Sequence, residues 1–454
     1  MALSKERYEE IKANAAAKRA QRAANEAAGI TESVATENEH NPYRFKNAKE
    51  LIEFALKNEG KIKLPVIPTC LHELRIMFQA NGFDIRLVGG FVRDHLLGKK
   101  SHDIDLCTDA TPDEQRAIYR AYDVVAIDTG LQHGTWTVVL NKETYEITSL
   151  RTETDCDGRH AKVSYTQDWL LDLSRRDLTI NAMQMDFDGN LIDPFGGQDD
   201  LKNHVVRFVG DPDQRMQEDY LRILRWFRFH ARFGNGQFTS ADVEIAVAIK
   251  RNMHGLQQIS RERVWSEFQR ILADPHGMVE LLNLIILGVA DPIGLPTPSL
   301  YDKAISFRRL EQAHKNTRNP VSLMAAYLGS QTHVRRIASD WHWSHAELDL
   351  ALLITSYIEE GMQSPLVEAK RRVALDGVPI SSMAEVLRVM GHPVIAATFL
   401  AWSVPIFPLD GDDLIATGMR PGPIMGRLLR QLRETWARTD YSLSKTELMA
   451  MITI

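Results

Sequence analysis

The sequence predicts an α+β fold, a head built on a small sheet, followed by an all-helical remainder. Strand-like segments cluster in one stretch, at residues 85–88, 103–107, 136–140, 144–149 and 182–187. After about Asp200 they vanish, and 3.6-residue periodicity runs to the end of the chain. A length of 454 residues exceeds one ordinary core and calls for several domains.

In chain order, residues 1–45 are rich in Ala, Glu, Lys and Arg and read as a flexible leader. Helices are expected at 51–56 and 71–79, within a head spanning 46–195. A helical neck follows over 196–285, a helical body over 286–385 and a helical tail over 386–454, with Pro and Gly marking the junctions. Val264, Phe268, Ile271 and Leu272 share one helical face and predict a core stripe.

Composition excludes several classes. The chain is 44% hydrophobic and 25% charged, as ordinary globular proteins are. Three cysteines, Cys70, Cys107 and Cys156, form no C-x-x-C and no even framework, which points to a reducing compartment. There is no long apolar run and no apolar signal core, so a cytoplasmic location with no membrane association is expected. A net charge of −6 argues against a generic nucleic-acid coat. Local charge differs: Arg215, Arg222, Arg225, Arg228 and Arg232 gather around one helix, and Arg427, Arg430, Arg433 and Arg438 near the C-terminus.

The chemistry concentrates in residues 87–108, LVGGFVRDHLLGKKSHDIDLCT. In a strand, Asp103 and Asp105 project from one face while Ile104 and Leu106 turn inward. Two close carboxylates repel unless protonated or neutralised, and a hard divalent cation suits oxygen ligands. Gly89-Gly90 leads into a short helical pattern containing Arg93, where backbone N–H groups have clear access to phosphate oxygens. Glu146 alternates with apolar Tyr145 and Ile147, so it lies on the polar face of a strand suited to lie beside the acidic one.

These glycines, Arg93 and the paired aspartates resemble the active-site motif of polymerase-β-like nucleotidyltransferases, in the version of class II tRNA nucleotidyltransferases and bacterial poly(A) polymerases. The resemblance continues through residues 174–183 (SRRDLTINAM), similar to the ribose- and triphosphate-contacting motif, and 193–201 (DPFGGQDDL), similar to the hinge. Residues 218–225 (EDYLRILR) match the base-selecting helix, and 260–268 (SRERVWSEF) the neck helix. Residues 408–414 and 421–423 look like the family's tail.

The resemblance implies Asp103, Asp105 and Glu146 as catalytic carboxylates, with Mg²⁺ on Asp103 and Asp105. It implies nucleotide contacts from Gly89, Gly90, Arg93, Arg151, Arg176, Asp177, Asn181, Asp219, Arg222 and Arg225. Arg176 and Asp177 fall in a segment read as helical, where a guanidinium fork suits triphosphate oxygens. Asp219 and Arg222, three apart on one helical face, would act as a protein template, Asp accepting from the amino group of C or A and Arg donating to the adjacent ring nitrogen. The polar segment 151–160 occupies the place of a loop used in switching from CTP to ATP. It is complete here, and no strongly basic C-terminal tract of the poly(A) polymerase kind follows.

The expectation is therefore template-independent addition of C, C and A to tRNA 3′ ends from CTP and ATP, without an obligate protein partner. The alternatives are a poly(A) polymerase of the same superfamily and a non-catalytic RNA-binding protein with the same head.

Overall fold

The computed structural model describes residues 67–452, apart from 100, 102, 131–133, 155–161 and 298–299. The expected leader and helix 51–56, and most of the segment 151–160, lie outside the described residues. The chain divides into two compact units, one ending at Gln258 and one beginning at Ile259.

The first unit is built on a seven-stranded sheet in the order β3-β4-β5-β2-β1-β8-β9. Its strands are β1 (Ile85–Val88), β2 (Asp105–Thr108), β3 (Val125–Gly130), β4 (Thr135–Leu140), β5 (Glu143–Ser149), β8 (Gln184–Met185) and β9 (Leu191–Ile192). A separate antiparallel hairpin pairs β6 (Arg151–Thr154) with β7 (Lys162–Tyr165). Alternation decides the two faces of the sheet. Leu87, Leu106, Trp136, Val138 and Ile147 pack into one core with Leu71, Leu74 and Phe78 of α1 (Thr69–Ala80) and with Phe91 and Val92 of α2 (Gly90–Leu96). Ile118 and Tyr119 of α3 (Pro112–Ala121) join them. Thr111 and Glu114 start α3 with a reciprocal capping box, a signal present in the sequence but not used to place a helix there.

Three expected elements change shape. Asp103 precedes β2 instead of opening it, its carbonyl accepting from Ser101 Oγ at 3.0 Å. The expected strand at 182–187 shrinks to β8, because Asp186 turns the chain by accepting from the backbone N–H groups of Asp188 and Asn190. Arg176 and Asp177 are not helical: α4 (Trp169–Ser174) stops before them, and a single 3₁₀ turn follows at Thr179–Asn181. Strand β3 and the β6–β7 hairpin were not anticipated.

The unit ends with α5 (Gly197–Lys202), α6 (Pro212–Glu218), α7 (Leu221–Phe233) and α8 (Ser240–Asn252). Asp219 lies in extended backbone between α6 and α7, not on the face of a continuous helix with Arg222. Its Oδ1 accepts from the Leu221 N–H at 3.1 Å. The adjoining Tyr220 ring lies so close to Gly255 that a Cβ there would come within 2.2 Å of it.

The second unit is helical throughout its described residues. Val264, Phe268, Ile271 and Leu272 of α9 (Arg261–Ala273) are all buried, as their spacing predicts. Phe268 meets the fully buried Trp341 edge-on at 5.2 Å. After α10 (Gly277–Ile286), α11 (Ala290–Ile293) and α12 (Leu300–Asn316) comes α13 (Pro320–Leu328), buried from Val321 to Leu328 and so the centre of the unit. Around it stand α14 (Gln331–Asp340), α15 (His345–Glu360), α16 (Pro365–Asp376), α17 (Ile380–Val389) and α18 (Pro393–Leu400). The C-terminal segment adds α19 (Gly411–Ala416), α20 (Pro423–Arg438) and α21 (Lys445–Ala450), gathered on Leu409, Leu432, Trp436 and Leu448. Arg427, Arg430, Arg433 and Arg438 are exposed along α20.

Candidate nucleotide-binding and catalytic site

The open face of the sheet carries the acidic residues. Strands β2 and β5 run parallel with Asp105 opposite Glu146, and on each the next residue, Leu106 or Ile147, turns into the core. Two carboxylates separated by 41 positions in sequence thus become immediate neighbours, an adjacency that alternation alone does not reveal. Both are exposed, and so is Asp103, two residues upstream of Asp105. Burial of the surrounding site pushes the Asp105 carboxyl up from its ordinary value, the negative charges of Glu146 and Asp103 push the same way, and Arg176 and Arg93 oppose them. Among the described residues no three His, Cys, Asp or Glu side chains converge into a ready-made metal cage. The donor set nonetheless suits a hard cation: oxygen ligands only, on an open face, with mutual repulsion that Arg176 and Arg93 relieve only in part.

On the other side of β2, the end of β1 makes the glycine turn. Gly89 has φ +62°, and a Cβ there would press on Arg176 Nη1 at 3.1 Å, so glycine serves both the backbone and the close guanidinium. Gly90 opens α2, which carries Arg93. Arg93 is only 5% exposed, with its guanidinium over the rings of Phe229 and Phe233. It pairs with Asp94 at 2.9 Å, and its Nη1 donates to Asn181 Oδ1 at 2.6 Å.

From Asn181 a chain of polar contacts crosses to α7. Asn181 Nδ2 donates to Asp177 Oδ1 at 3.2 Å, and Arg225 Nε donates to Asp177 Oδ2 at 2.7 Å. Burial alone would raise the Asp177 carboxyl, but the Arg225 charge and the hydrogen bonds from Arg225, Asn181 and the Leu178 N–H outweigh it and hold it at about 2. Asp177 is therefore a buried anion linking α2, through Asn181, to α7.

Arg176 reaches toward the sheet. Its Nη2 lies 3.4 Å from both Cys107 Sγ and Asp172 Oδ2, and its Nε is buried without a hydrogen-bond partner. Asp172 was missed in the sequence reading. Fully buried, it binds Arg175 at 2.6 Å, accepts from the Arg151 N–H at 3.3 Å and so fixes the base of the β6–β7 hairpin beside Arg176. Burial pushes the Cys107 thiol up to about 12, which keeps it neutral beside these arginines.

Arg222 is 8% exposed and donates to Glu218 Oε2 at 2.6 Å, to Arg215 O at 3.1 Å and to Arg175 O at 3.0 Å. Glu218 is the second missed residue, and its i,i+4 spacing to Arg222 was a legible signal. The structure thus brings Gly89, Gly90, Arg93, Arg176, Asp177, Asn181 and Arg225 into one connected cluster beside Asp105 and Glu146. Arg222 joins it through Arg175. Asp219 stands at the break before α7 and Arg151 at the start of β6.

Fold and site together define a nucleotidyltransferase head. Residues 85–207 match the family described as "Poly A polymerase head domain", and residues 242–296 the one described as "Probable RNA and SrmB- binding site of polymerase A". The "CCA tRNA nucleotidyltransferase 1, mitochondrial" of Homo sapiens is 38% identical, covering 84% of this chain and 89% of its own length. That of Danio rerio is 37% identical over 83% and 88%, and the "CCA-adding enzyme" of Lactobacillus helveticus 32% over 78% and 88%. The crystal structure of the Bacillus stearothermophilus CCA-adding enzyme in complex with CTP superposes with a TM-score of 0.65 at 26% identity, covering 81% of this chain and 92% of that one. The chain belongs to the CCA tRNA nucleotidyltransferase family.

Proposed function

We propose that this protein adds C, C and A in turn to the 3′ end of tRNA, using CTP and ATP without a nucleic-acid template. The observation that carries the reading is the register pairing of Asp105 with Glu146 on an open sheet face, with Asp103 beside them and a cluster of buried and half-buried arginines on one flank. Nucleotidyl transfer needs that combination: carboxylates where the hydroxyl attacks and cations where charge accumulates on the leaving pyrophosphate.

In this reading Asp103 and Asp105 hold Mg²⁺, which supplies Lewis-acid stabilisation of the phosphate oxygens when bound. Glu146 orients the attacking 3′-hydroxyl. Arg176 offers its guanidinium to the triphosphate, with the Gly89–Gly90 turn and Arg93 beside it. Asp177 and Asn181 meet the ribose hydroxyls. Asp219 and Arg222 read the Watson–Crick edge, with Arg225 and Glu218 holding the reading helix in place. For Arg222 to face a base, its bond to Glu218 has to persist as a brace or be exchanged. Arg151, at the root of the β6–β7 hairpin, adds a further contact to the nucleotide.

The head, neck, body and tail boundaries expected from the sequence are retained as a functional division, with tRNA held by the helical part, the arginines of α20 included. No helix among the described residues is long and apolar enough to cross a membrane. We place the protein in the cytoplasm on composition, although the vertebrate relatives named above are called mitochondrial.

The test is incubation of purified protein with tRNA ending at the discriminator base, with each nucleotide alone and in combination. Discrete C, C, A addition is expected. Long A tails would indicate the poly(A) reading, and no extension a non-catalytic RNA binder.

A further inference from the structure

The open sheet face does not stop at the carboxylates. Register places Asp105 of β2, Glu146 of β5, Thr137 of β4 and Ile127 of β3 in one row across the sheet. A second row two residues away runs Thr144, Val139, Val125. Along β3 the intervening Ala126 packs against the core, so Val125 and Ile127 belong to the same face as Glu146. They are 62% and 51% exposed. Strands lie about 4.8 Å apart, so Thr137 and Ile127 stand roughly 5 and 10 Å beyond Glu146. Edge strands are ordinarily protected by charge or proline, yet this one presents two bare β-branched residues toward the site.

The direction of the reaction says what belongs there. In-line displacement puts the attacking oxygen opposite the leaving pyrophosphate. Arg176, Arg93 and the Gly89 turn lie on the β1 side of β2. The attacking hydroxyl therefore arrives from the other side, over β5, β4 and β3.

We propose that the shelf formed by Thr137, Ile127 and Val125 receives the 3′-terminal nucleotide of the acceptor RNA, whose base lies on the aliphatic side chains while its 3′-hydroxyl reaches Glu146 and Asp105. This rests on the nucleotidyl-transfer reading above and adds to it the side of entry and the residues met. An aliphatic surface takes any base face, because stacking on a flat π-system does not depend on hydrogen-bonding edges. Such a surface suits an enzyme whose acceptor terminus changes identity with every addition. Selection then stays with the incoming nucleotide, and the shelf fixes only position. The other occupant to test is a second copy of this chain pairing through the edge of β3.

Val125→Asp/Ile127→Asp places two charges where RNA would lie, at positions exposed enough to leave folding intact, which circular dichroism and Tm verify. The KM for tRNA lacking its CCA end is expected to rise at least tenfold with the KM for CTP within twofold of wild type. Independently of any variant, wild-type protein irradiated with tRNA ending in 4-thiouridine is expected to cross-link within residues 125–139. An unchanged tRNA KM, a parallel rise in both KM values, or cross-links confined to residues 85–98 would overturn the proposal. So would a wild-type dimer in sedimentation that the double variant dissociates with tRNA KM unchanged. Wild-type protein that extends tRNA while the shelf variants match it sinks this inference alone; wild-type protein that extends nothing sinks the functional reading and this inference with it.

Discussion

Two buried carboxylates, one in each unit, show how differently the halves of this chain use charge. In the helical unit, Glu385 of α17 accepts from Thr317 Oγ1 at 2.8 Å and Ser322 Oγ at 2.9 Å and pairs with Arg388 one turn along its own helix. Two of its partners are neutral hydroxyls, and the contacts join α17 to the start of α13. In the sheet-bearing unit, Asp177 is bound by Asn181 and Arg225, and Asn181 passes the connection on to Arg93. That network runs from α7 to the helix after the glycine turn, beside an open face. A buried carboxylate whose partners distant in sequence are hydroxyls ties helices together. One answered by arginines at the edge of a site can also share them with a ligand's phosphates.

If that contrast is right, substitutions at the open face of the first unit change chemistry, and those at Glu385 in the second change stability alone. Asp105→Ala should have the largest effect, leaving less than about a tenth of wild-type turnover, since a metal-holding carboxylate contributes several kcal/mol of barrier lowering. Its exposure means the thermal transition should barely move, and single-turnover addition of CTP to tRNA makes the measurement.

Asp219→Ala should compress the preference for CTP over UTP by at least about tenfold, because the acceptor for the amino group is lost, worth about 1 to 3 kcal/mol, and UTP escapes a clash of acceptors. Asp219 also holds the Leu221 N–H. Asp219→Asn keeps that bond and should lose selectivity as well. Competition kinetics that show loss in the alanine variant alone would reassign Asp219 to capping α7.

Glu385→Ala should cost about 1 to 3 kcal/mol in urea unfolding by leaving two buried hydroxyls without their acceptor. CTP-over-UTP selection per folded molecule should stay at the wild-type value. A change in that ratio would erase the distinction between the units.

The smallest effect concerns pH. The Asp177 carboxyl sits at about 2, below its ordinary 3.8, so its stabilisation is fully present above the unfolded value and is lost as pH falls through the folded one. The stability gap between wild type and Asp177→Asn should therefore narrow from pH 4 down to pH 2 and stay constant above pH 5. A gap that widens on acidification would mean Asp177 is not held as an anion by Arg225.

Much of this site was legible in the sequence because its residues sit in short local patterns. The face of Asp105, the glycine turn and the core stripe of α9 follow from periodicity that tertiary context did not disturb. What the sequence concealed depends on pairing at a distance. Nothing in Asp172 announces that it gathers Arg175, Arg176 and the backbone of Arg151. The alternating segment 182–187 looks like a strand until Asp186 turns it back. The motif at 218–225 has uninterrupted helical spacing, yet the chain breaks at Asp219, where Tyr220 settles on Gly255. The i,i+4 spacing of Glu218 and Arg222 is the part of this motif that the fold keeps.

The parallel pairing of β2 with β5 also bears on how the protein comes into being. A hairpin can close as soon as both its strands leave the ribosome, but a parallel pair waits for its whole crossover. Here the wait is longer, since Arg93 meets a partner 88 residues downstream and Asp177 one 48 residues downstream. A growing chain that has already exposed its acidic pair still lacks Glu146, then Asn181, then Arg225. Catalytic competence is therefore expected only late in synthesis, and truncated chains ending before α7 are expected to be inert.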